Sequence, residues 1–504
     1  MSKDDFYKNS IVLTLSNLST AVLRFVFSVV LSKELGSEGL GLYSLIMPIY
    51  DLFCCLICGG MATALSKETS YYYSKKEQAN LMKSVHIAFL FDLLWGLFVT
   101  IGFLLLSPVL SKYIVQDARS IYSLFAIAPA LLLVSLSSIL KGYFYGTSRV
   151  KIPSFIDIFE KAVRMIAIIG LMNLITTKSI TFTVTITYIS LTLGELLSFI
   201  MLFSYYKINK KRCSLSKTVI TNCKTHSSVQ LLSNILVAAI PLCINGLLTT
   251  ALSSFSTLLI PRRLIEAGIN YTEALSMIGK FSGMAITIVF FPSVIILSLS
   301  TLLIPDLSKS IAVNDFHGLK RRIEEIFSIS LILGLVNLVV CICIPEELGI
   351  MFFKTTNLGN YIRTIAFSVP VVYLSSASYS ILNGIGKQNK VLINSVLTSV
   401  IEVFLLYFLL ANPNINIYGY GIAMFVSCLL SLVLNFISIY KFCPIKFKLF
   451  NIVISVVLSI VLFNILKILN CSFSFLSFYA KNILIILIGF SMFFIGAFFI
   501  QSTD

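Results

Sequence analysis

Apolar residues run almost unbroken for roughly 20 positions at a time along most of the chain, and polar positions collect in the short stretches between. A helix rising about 1.5 Å per residue needs a run of that length to cross about 30 Å of hydrocarbon. Fourteen runs are read, near residues 10–33, 43–66, 84–107, 120–140, 153–175, 182–205, 238–260, 278–304, 327–344, 362–382, 391–411, 417–440, 449–469 and 482–500. Backbone groups in lipid must be satisfied within their own segment, and these runs are too long and too uniformly apolar for barrel strands, so each predicts a helix. The expected fold is an all-α integral membrane protein with fourteen transmembrane helices. The opening "MSKDDFYKNS" followed by an apolar run imitates a secretory signal, but the run is too long, contains Arg24 and lacks a small-x-small cleavage site, so it is expected to remain as the first span.

Composition agrees: 57% of residues are hydrophobic and 12% charged, outside the balance of soluble domains. With the N-terminus inside, 24 of the 38 Lys and Arg fall in inner segments and 10 in outer ones, which places both termini on the cytoplasmic side. The net charge of +16 then reflects inner loops attracted to anionic headgroups and gives no reason to expect nucleic acid as a partner. Neither the eleven cysteines nor the three histidines, His86, His226 and His317, have metal-site spacing; Cys54, Cys55 and Cys58 read as small hydrophobes within a span. No Gly-rich phosphate loop or nucleophile elbow is present. The longest connection, from Tyr206 to about Ala238, is basic and inner, so neither an enzyme nor a cofactor or metal is expected.

Internal repetition organises the spans. "LSK" at Leu65 recurs at Leu307, and "ILKG" at Ile139 recurs as "ILNG" at Ile381, both shifted by 242 residues. Six spans separate the copies, an even number, so two lobes of like orientation are expected: residues 1–206 and 238–441, joined by a cytoplasmic linker at 207–237 and followed by an added helix pair in 442–504. Two such lobes enclosing a cleft is a common transporter plan.

The stretch "SFIDIFEKAVRMIAIIG", residues 154 to 170, places Asp157, Glu160, Lys161 and Arg164 inside the fifth run. Arg164 lies eleven residues past Pro153, about 16 Å along a helix and near mid-bilayer. A lone charge there costs about 2.5–3.5 kcal/mol on insertion scales, so the four must face protein or water. Asp157 with Lys161 and Glu160 with Arg164 have the i,i+4 spacing of helical ion pairs. Two readings stand: a paired network fixing this helix to its neighbours, or the polar wall of a cleft in which Arg164 and Lys161 meet an anionic substrate. Arg24, Asp51, Asp92, Glu195, Lys280 and Glu402 are further charges within spans. Asn394, Thr398 and Glu402 share one face of the eleventh run, as an interhelical hydrogen-bond strip or a site for a coupling cation. The last three runs are nearly free of charge, and the added pair reads as lipid-facing packing or a groove for an acyl chain.

Three segments carry a family resemblance. "ELGSEGLGLYSLIMPIYDLFCCLICGGMATALSKETS", Glu34 to Ser70, "KGYFYGTSRVKIPSFIDIFEKAVR", Lys141 to Arg164, and "IPRRLIEAG", Ile260 to Gly268, with the following "GKFSGMA", resemble the stage V sporulation protein B group of polysaccharide transporters. That group belongs to the multidrug/oligosaccharidyl-lipid/polysaccharide flippase superfamily, close to the lipid II flippases. The resemblance implies a flippase moving an undecaprenyl-pyrophosphate-linked saccharide, such as lipid II for spore cortex or cell wall, from inner to outer leaflet by alternating access. Membrane potential or a sodium or proton gradient would drive it, with no cofactor. The implied partners are the lipid-linked oligosaccharide, membrane lipids and cell-wall synthases, in the bacterial cell membrane. Glu160 and Arg164 match the group's acid and base of the fifth helix, and Arg262 and Arg263 its Pro-Arg-Arg-Leu element. The sequence departs at Asp51, at Gly60-Met61-Ala62, and in the first helix, where Arg24 stands alone. Arg24, Asp51, Glu160, Lys161, Arg164, Arg262, Arg263 and Lys280 make the expected substrate-binding set. A multidrug-type antiporter shares the two-lobed plan, but the basic groups favour an anionic head; a membrane-bound sugar-lipid polymerase or its scaffold is the remaining alternative.

Overall fold

The computed structural model describes residues 3–174, 179–215, 226–312, 315–444, 449–473 and 476–502. Lys178 and residues 216–225 of the expected linker lie outside the described residues. Among the described residues the only regular elements are helices. In order these are α1 (Lys3–Cys58), α2 (Met61–Ser74), α3 (Gln78–Val109) continued by a π-helical turn (Leu110–Val115), α4 (Ser120–Gly146), α5 (Lys151–Leu174), α6 (Ile180–Leu215) and α7 (Ser228–Glu266). Then follow α8 (Tyr271–Ile278), a second π-helical turn (Gly279–Ala285), α9 (Ile286–Phe290), α10 (Ser293–Ala312), α11 (Phe316–Cys343), α12 (Pro345–Phe353) and α13 (Gly359–Ala366). The last are α14 (Val369–Gly384), α15 (Gln388–Leu409), α16 (Tyr418–Tyr440), α17 (Leu449–Ser472) and α18 (Phe478–Ser502).

Among the described residues ten helical stretches are long and apolar enough to cross a membrane, or eleven if α13 and α14, bent by 48° to each other, form one span. The chain is therefore a multi-pass membrane protein. The first two predicted runs share α1, which is kinked at Gly36, with φ 67. Helix α5 is not among the ten, because its four central charges set it apart from an ordinary apolar span. The eighth run, read as one helix over 278–304, is broken between α9 and α10: Pro292 has no N–H to donate and its ring crowds the carbonyl one turn back.

Two compact units divide the chain, Met1–Leu35 with Leu42–Leu258, and Gly36–Gly41 with Leu259–Asp504. The first is centred on α4. Ile139, Leu140, Tyr143 and Phe144 pack in one buried cluster with Met61 and Leu65 of α2, Val85 and Ala88 of α3, Ile156 of α5 and Leu231 and Ile235 of α7. The glycine ending "KGYFYG" is fixed by this contact. A Cβ on Gly146 would stand 1.9 Å from Thr69 Oγ1 and 2.6 Å from the Ser66 carbonyl oxygen, so α4 reaches α2 only without a side chain there.

In the second unit Leu307 of α10 packs in one cluster with Leu319 and Ile323 of α11, Ala377, Ile381 and Leu382 of α14, and Ile439 of α16. The repeated motifs thus recur in like settings. Leu65 shares a cluster with Ile139 and Leu140, and Leu307, 242 residues on, shares one with Ile381 and Leu382. Helices α17 and α18 pack on α11 of the same unit.

Candidate functional site

The charges of α5 converge with those of its neighbours inside the first unit. From α5, an Arg164 Nη lies 2.8 Å from Glu160 Oε1, and the same nitrogen lies 3.5 Å from Glu195 Oε1 on α6. Lys161 Nζ donates to Glu160 Oε2 at 2.9 Å. Lys141 Nζ of α4 lies 2.7 Å from Asp157 Oδ1. The Glu160–Arg164 pair has the expected i,i+4 geometry; the expected Asp157–Lys161 pair does not form. A helical i,i+4 pair contributes only about 0.2–0.5 kcal/mol, and here Lys141 reaches Asp157 from the neighbouring helix while Lys161 turns to the buried Glu160.

Glu160 is buried, at 3% exposure, while Lys161 and Arg164 are half-buried. A Cβ on Gly194 of α6 would come within 3.0 Å of Glu160 Oε1, so a glycine keeps the α5–α6 seam open for the carboxylate. The Arg164 guanidinium also lies 5.8 Å from the Phe27 ring centroid on α1, and Tyr43 and Tyr50 of α1 are within its electrostatic reach. Tyr188 of α6 stacks on Tyr43 with ring centroids 5.2 Å apart and donates its hydroxyl to the Tyr43 carbonyl at 2.9 Å, holding this part of α1 against α6. Arg24 and Asp51, both exposed, interact electrostatically with each other along α1.

Basic and acidic groups balance across this region: Arg24, Lys141, Lys161 and Arg164 against Asp51, Asp157, Glu160 and Glu195. One donor is left over. Arg164 Nε is buried and has no hydrogen-bond partner among the described residues. A planar guanidinium held through one nitrogen, with another donor facing no acceptor, suits an oxyanion that presents two oxygens to its fork.

The remaining expected residues belong to the second unit. Arg263, at the end of α7, donates Nε to the Tyr407 carbonyl at 2.8 Å, lies 3.7 Å from that tyrosine's ring centroid and pairs with Glu266. It ties α7 to α15. Arg262 is half-buried beside it, and Lys280 is half-buried in the π-helical turn. Asn394 donates to Asn435 of α16 at 2.8 Å, and Asn435 donates to Ser378 of α14 at 3.0 Å, a strip across three helices. Thr398 turns its hydroxyl back to the Ser395 carbonyl at 3.0 Å. Glu402 is half-buried and makes no hydrogen bond or ion pair among the described residues.

Lys141 is the member that sequence reasoning left out of the site, since it sits one residue past the fourth apolar run. Its helix continues to Gly146, and the available signal was the "KGYFYG" element itself.

The profile of the polysaccharide biosynthesis protein family matches residues 6–311. Stage V sporulation protein B of Bacillus subtilis (strain 168) is 24% identical over 448 residues, covering 89% of this chain and 86% of that protein. The lipid II flippase MurJ of the same organism is 22% identical over 417 residues, covering 79% and 76%. Among solved structures, lipid II flippase MurJ in an inward closed conformation superposes with a TM-score of 0.70 at 14% identity, covering 96% of this chain and 99% of that one. An inward-facing multidrug resistance MATE transporter of the MOP superfamily superposes with a TM-score of 0.66 at 14% identity, covering 84% and 97%.

Proposed function

Because the chain belongs to the polysaccharide biosynthesis protein family, we propose that it is a flippase carrying an undecaprenyl-pyrophosphate-linked saccharide from the inner to the outer leaflet by alternating access. Lipid II, for spore cortex or cell wall, is the substrate this reading favours, given relatives named stage V sporulation protein B and lipid II flippase. The proposed topology has fourteen spans in two six-helix lobes and an added pair, with both termini cytoplasmic in a bacterial cell membrane. It is a transporter without catalytic residues; membrane lipids and cell-wall synthases are its proposed partners.

Arg164 carries the reading: a guanidinium midway along α5, paired to Glu160 and Glu195 through one nitrogen and with its Nε unpartnered among the described residues. A diphosphate entering from the inner leaflet brings four non-bridging oxygens on a single group and competes with the two carboxylates for Arg164 and Lys161. Return of Glu160 to both cations then expels the head group on the far side. Arg24 and Asp51 line the route on α1; Arg262, Arg263 and Lys280 serve the second lobe. A gradient or the membrane potential resets the cycle, and a coupling cation would meet Glu402, Thr398 and Asn394.

Binding tests this reading. Purified protein in bilayer nanodiscs should bind a lipid-linked disaccharide, inorganic pyrophosphate should compete with it, and Arg164→Ala should weaken binding about tenfold or more, the loss of one charge-assisted contact of ~1.4 kcal/mol. Equal affinity for a head group lacking phosphate would contradict it.

A further inference from the structure

Asp92 is a buried acid that the proposed cycle leaves unused. It lies on α3, fourteen residues beyond Gln78 and so about 21 Å along the axis, with 0% exposure. Ser135 of α4 donates its hydroxyl to Oδ2 at 2.8 Å, and Oδ1 is buried with no partner among the described residues. Asp157, Glu160 and Glu195 each face a cation within 3.5 Å, and Asp51 has Arg24 within electrostatic reach. Asp92 has no such ion pair among the described residues.

Among the described residues the elements around it bring no positive charge to its side; on α2, packed against α3, Lys67 is exposed and Glu68 accepts from Asn234. Helix α4 contributes Ser135, and α1 contributes Ile57, which approaches Gly96 one turn further along α3, together with the thiol of Cys58. Lys141 of α4 acts on Cys58 and is itself engaged by Asp157. Towards the start of α3, Lys83 donates to the His226 carbonyl and His86 is exposed.

We propose that Asp92 is a proton-binding site, with the proton on Oδ1 serving as the counter-ion that no side chain supplies. An ionised carboxylate in this position would carry the full cost of a lone charge in the bilayer interior, whereas addition of a proton leaves a neutral acid hydrogen-bonded by Ser135. The site is also connected to the ion-pair cluster. Tyr50, Cys54 and Cys58 repeat every four residues along one face of α1, and Cys58 donates to the Cys54 carbonyl at 2.9 Å. Cys58 lies within electrostatic reach of Asp92, and Tyr50 and Cys54 within that of Glu195. Loading and unloading Asp92 changes the charge beside one end of this row, whose other end neighbours Glu195. Its use as the drive for transport rests on the proposed flippase reading; the existence of the proton site does not.

Infrared spectroscopy of the full-length protein in lipid bilayers at neutral pH tests the site without transport. The C=O stretch of a protonated carboxylic acid should appear in the wild-type spectrum, vanish in Asp92→Asn and move to higher frequency in Ser135→Ala, which removes the donor to that carbonyl. Asp92→Asn should keep the wild-type melting temperature, since Asn matches the neutral acid in shape. Identical spectra in this region for wild type and Asp92→Asn would overturn the proposal, as would an Asp92→Asn protein that fails to fold while Asp92→Glu folds without the acid band. In proteoliposomes, a proton gradient should stimulate lipid-linked saccharide transport by wild type and not by Asp92→Asn. The acid band in a protein that binds no lipid-linked saccharide would leave the site standing and remove the flippase reading.

Discussion

Arg164 on α5 and Glu195 on α6 face each other at 3.5 Å, and Gly194 beside them leaves room for Glu160 to reach the same guanidinium nitrogen. One cation therefore serves two acids on two helices. An arriving oxyanion competes for that shared cation, because neither carboxylate holds the guanidinium alone.

Arg164→Ala should insert and fold, because Glu160 keeps Lys161 at 2.9 Å and Glu195, which loses its ion pair, is not fully buried. The destabilisation should stay below the ~3–5 kcal/mol typical of leaving a buried charge with no partner. Arg164→Lys keeps the charge but loses the planar fork, so it should fall between wild type and Ala in substrate affinity. Thermal melting and substrate titration of the three proteins check both statements.

Glu160→Gln removes the acid shared by Lys161 and Arg164. It should destabilise more than Arg164→Ala, by roughly 3–5 kcal/mol, and Glu160→Gln combined with Arg164→Gln should recover part of that loss. Denaturation of the single and double variants in matched detergent measures the coupling.

Lys141 and Asp157 join α4 to α5 at 2.7 Å. Lys141→Asp or Asp157→Lys alone places like charges together. The exchanged double variant should restore stability, with a coupling energy of about 0.5–3 kcal/mol in a double-mutant cycle. Additive effects would mean that the pair contributes nothing to holding the two helices.

Asn435→Leu breaks the strip from Asn394 to Ser378. Interhelical hydrogen bonds in membranes average about 0.6 kcal/mol, so the stability loss should be of that order. Transport in a sodium gradient, compared between Asn435→Leu and Glu402→Gln, separates a strip that only packs helices from one that also holds a cation.

The helices themselves were legible because apolar runs about 20 residues long have few other uses. Their breaks were less so. Pro292 lies in the eighth run as an ordinary letter, and nothing in its neighbours announces that the chain uses it to separate α9 from α10. Within the site, the Glu160–Arg164 pair follows from helical spacing, and Glu195 and Asp92 are conspicuous as charges in apolar runs. The partner of Asp157 was not readable, because that choice is made between helices: Lys141 comes from α4, and sequence separation says nothing of its reach. The same holds for Arg263, whose contact with Tyr407 joins residues 144 apart.

The most direct measurement is leaflet exposure of a defined lipid-linked saccharide in vesicles containing the purified protein, under an imposed membrane potential or ion gradient. Wild type should expose inner-leaflet substrate to an impermeant probe outside, and folded Arg164→Ala should fall to the protein-free rate. Transport by Arg164→Ala at the wild-type rate would contradict the role given to this guanidinium, and no transport of any lipid-linked saccharide by wild type would contradict the account as a whole.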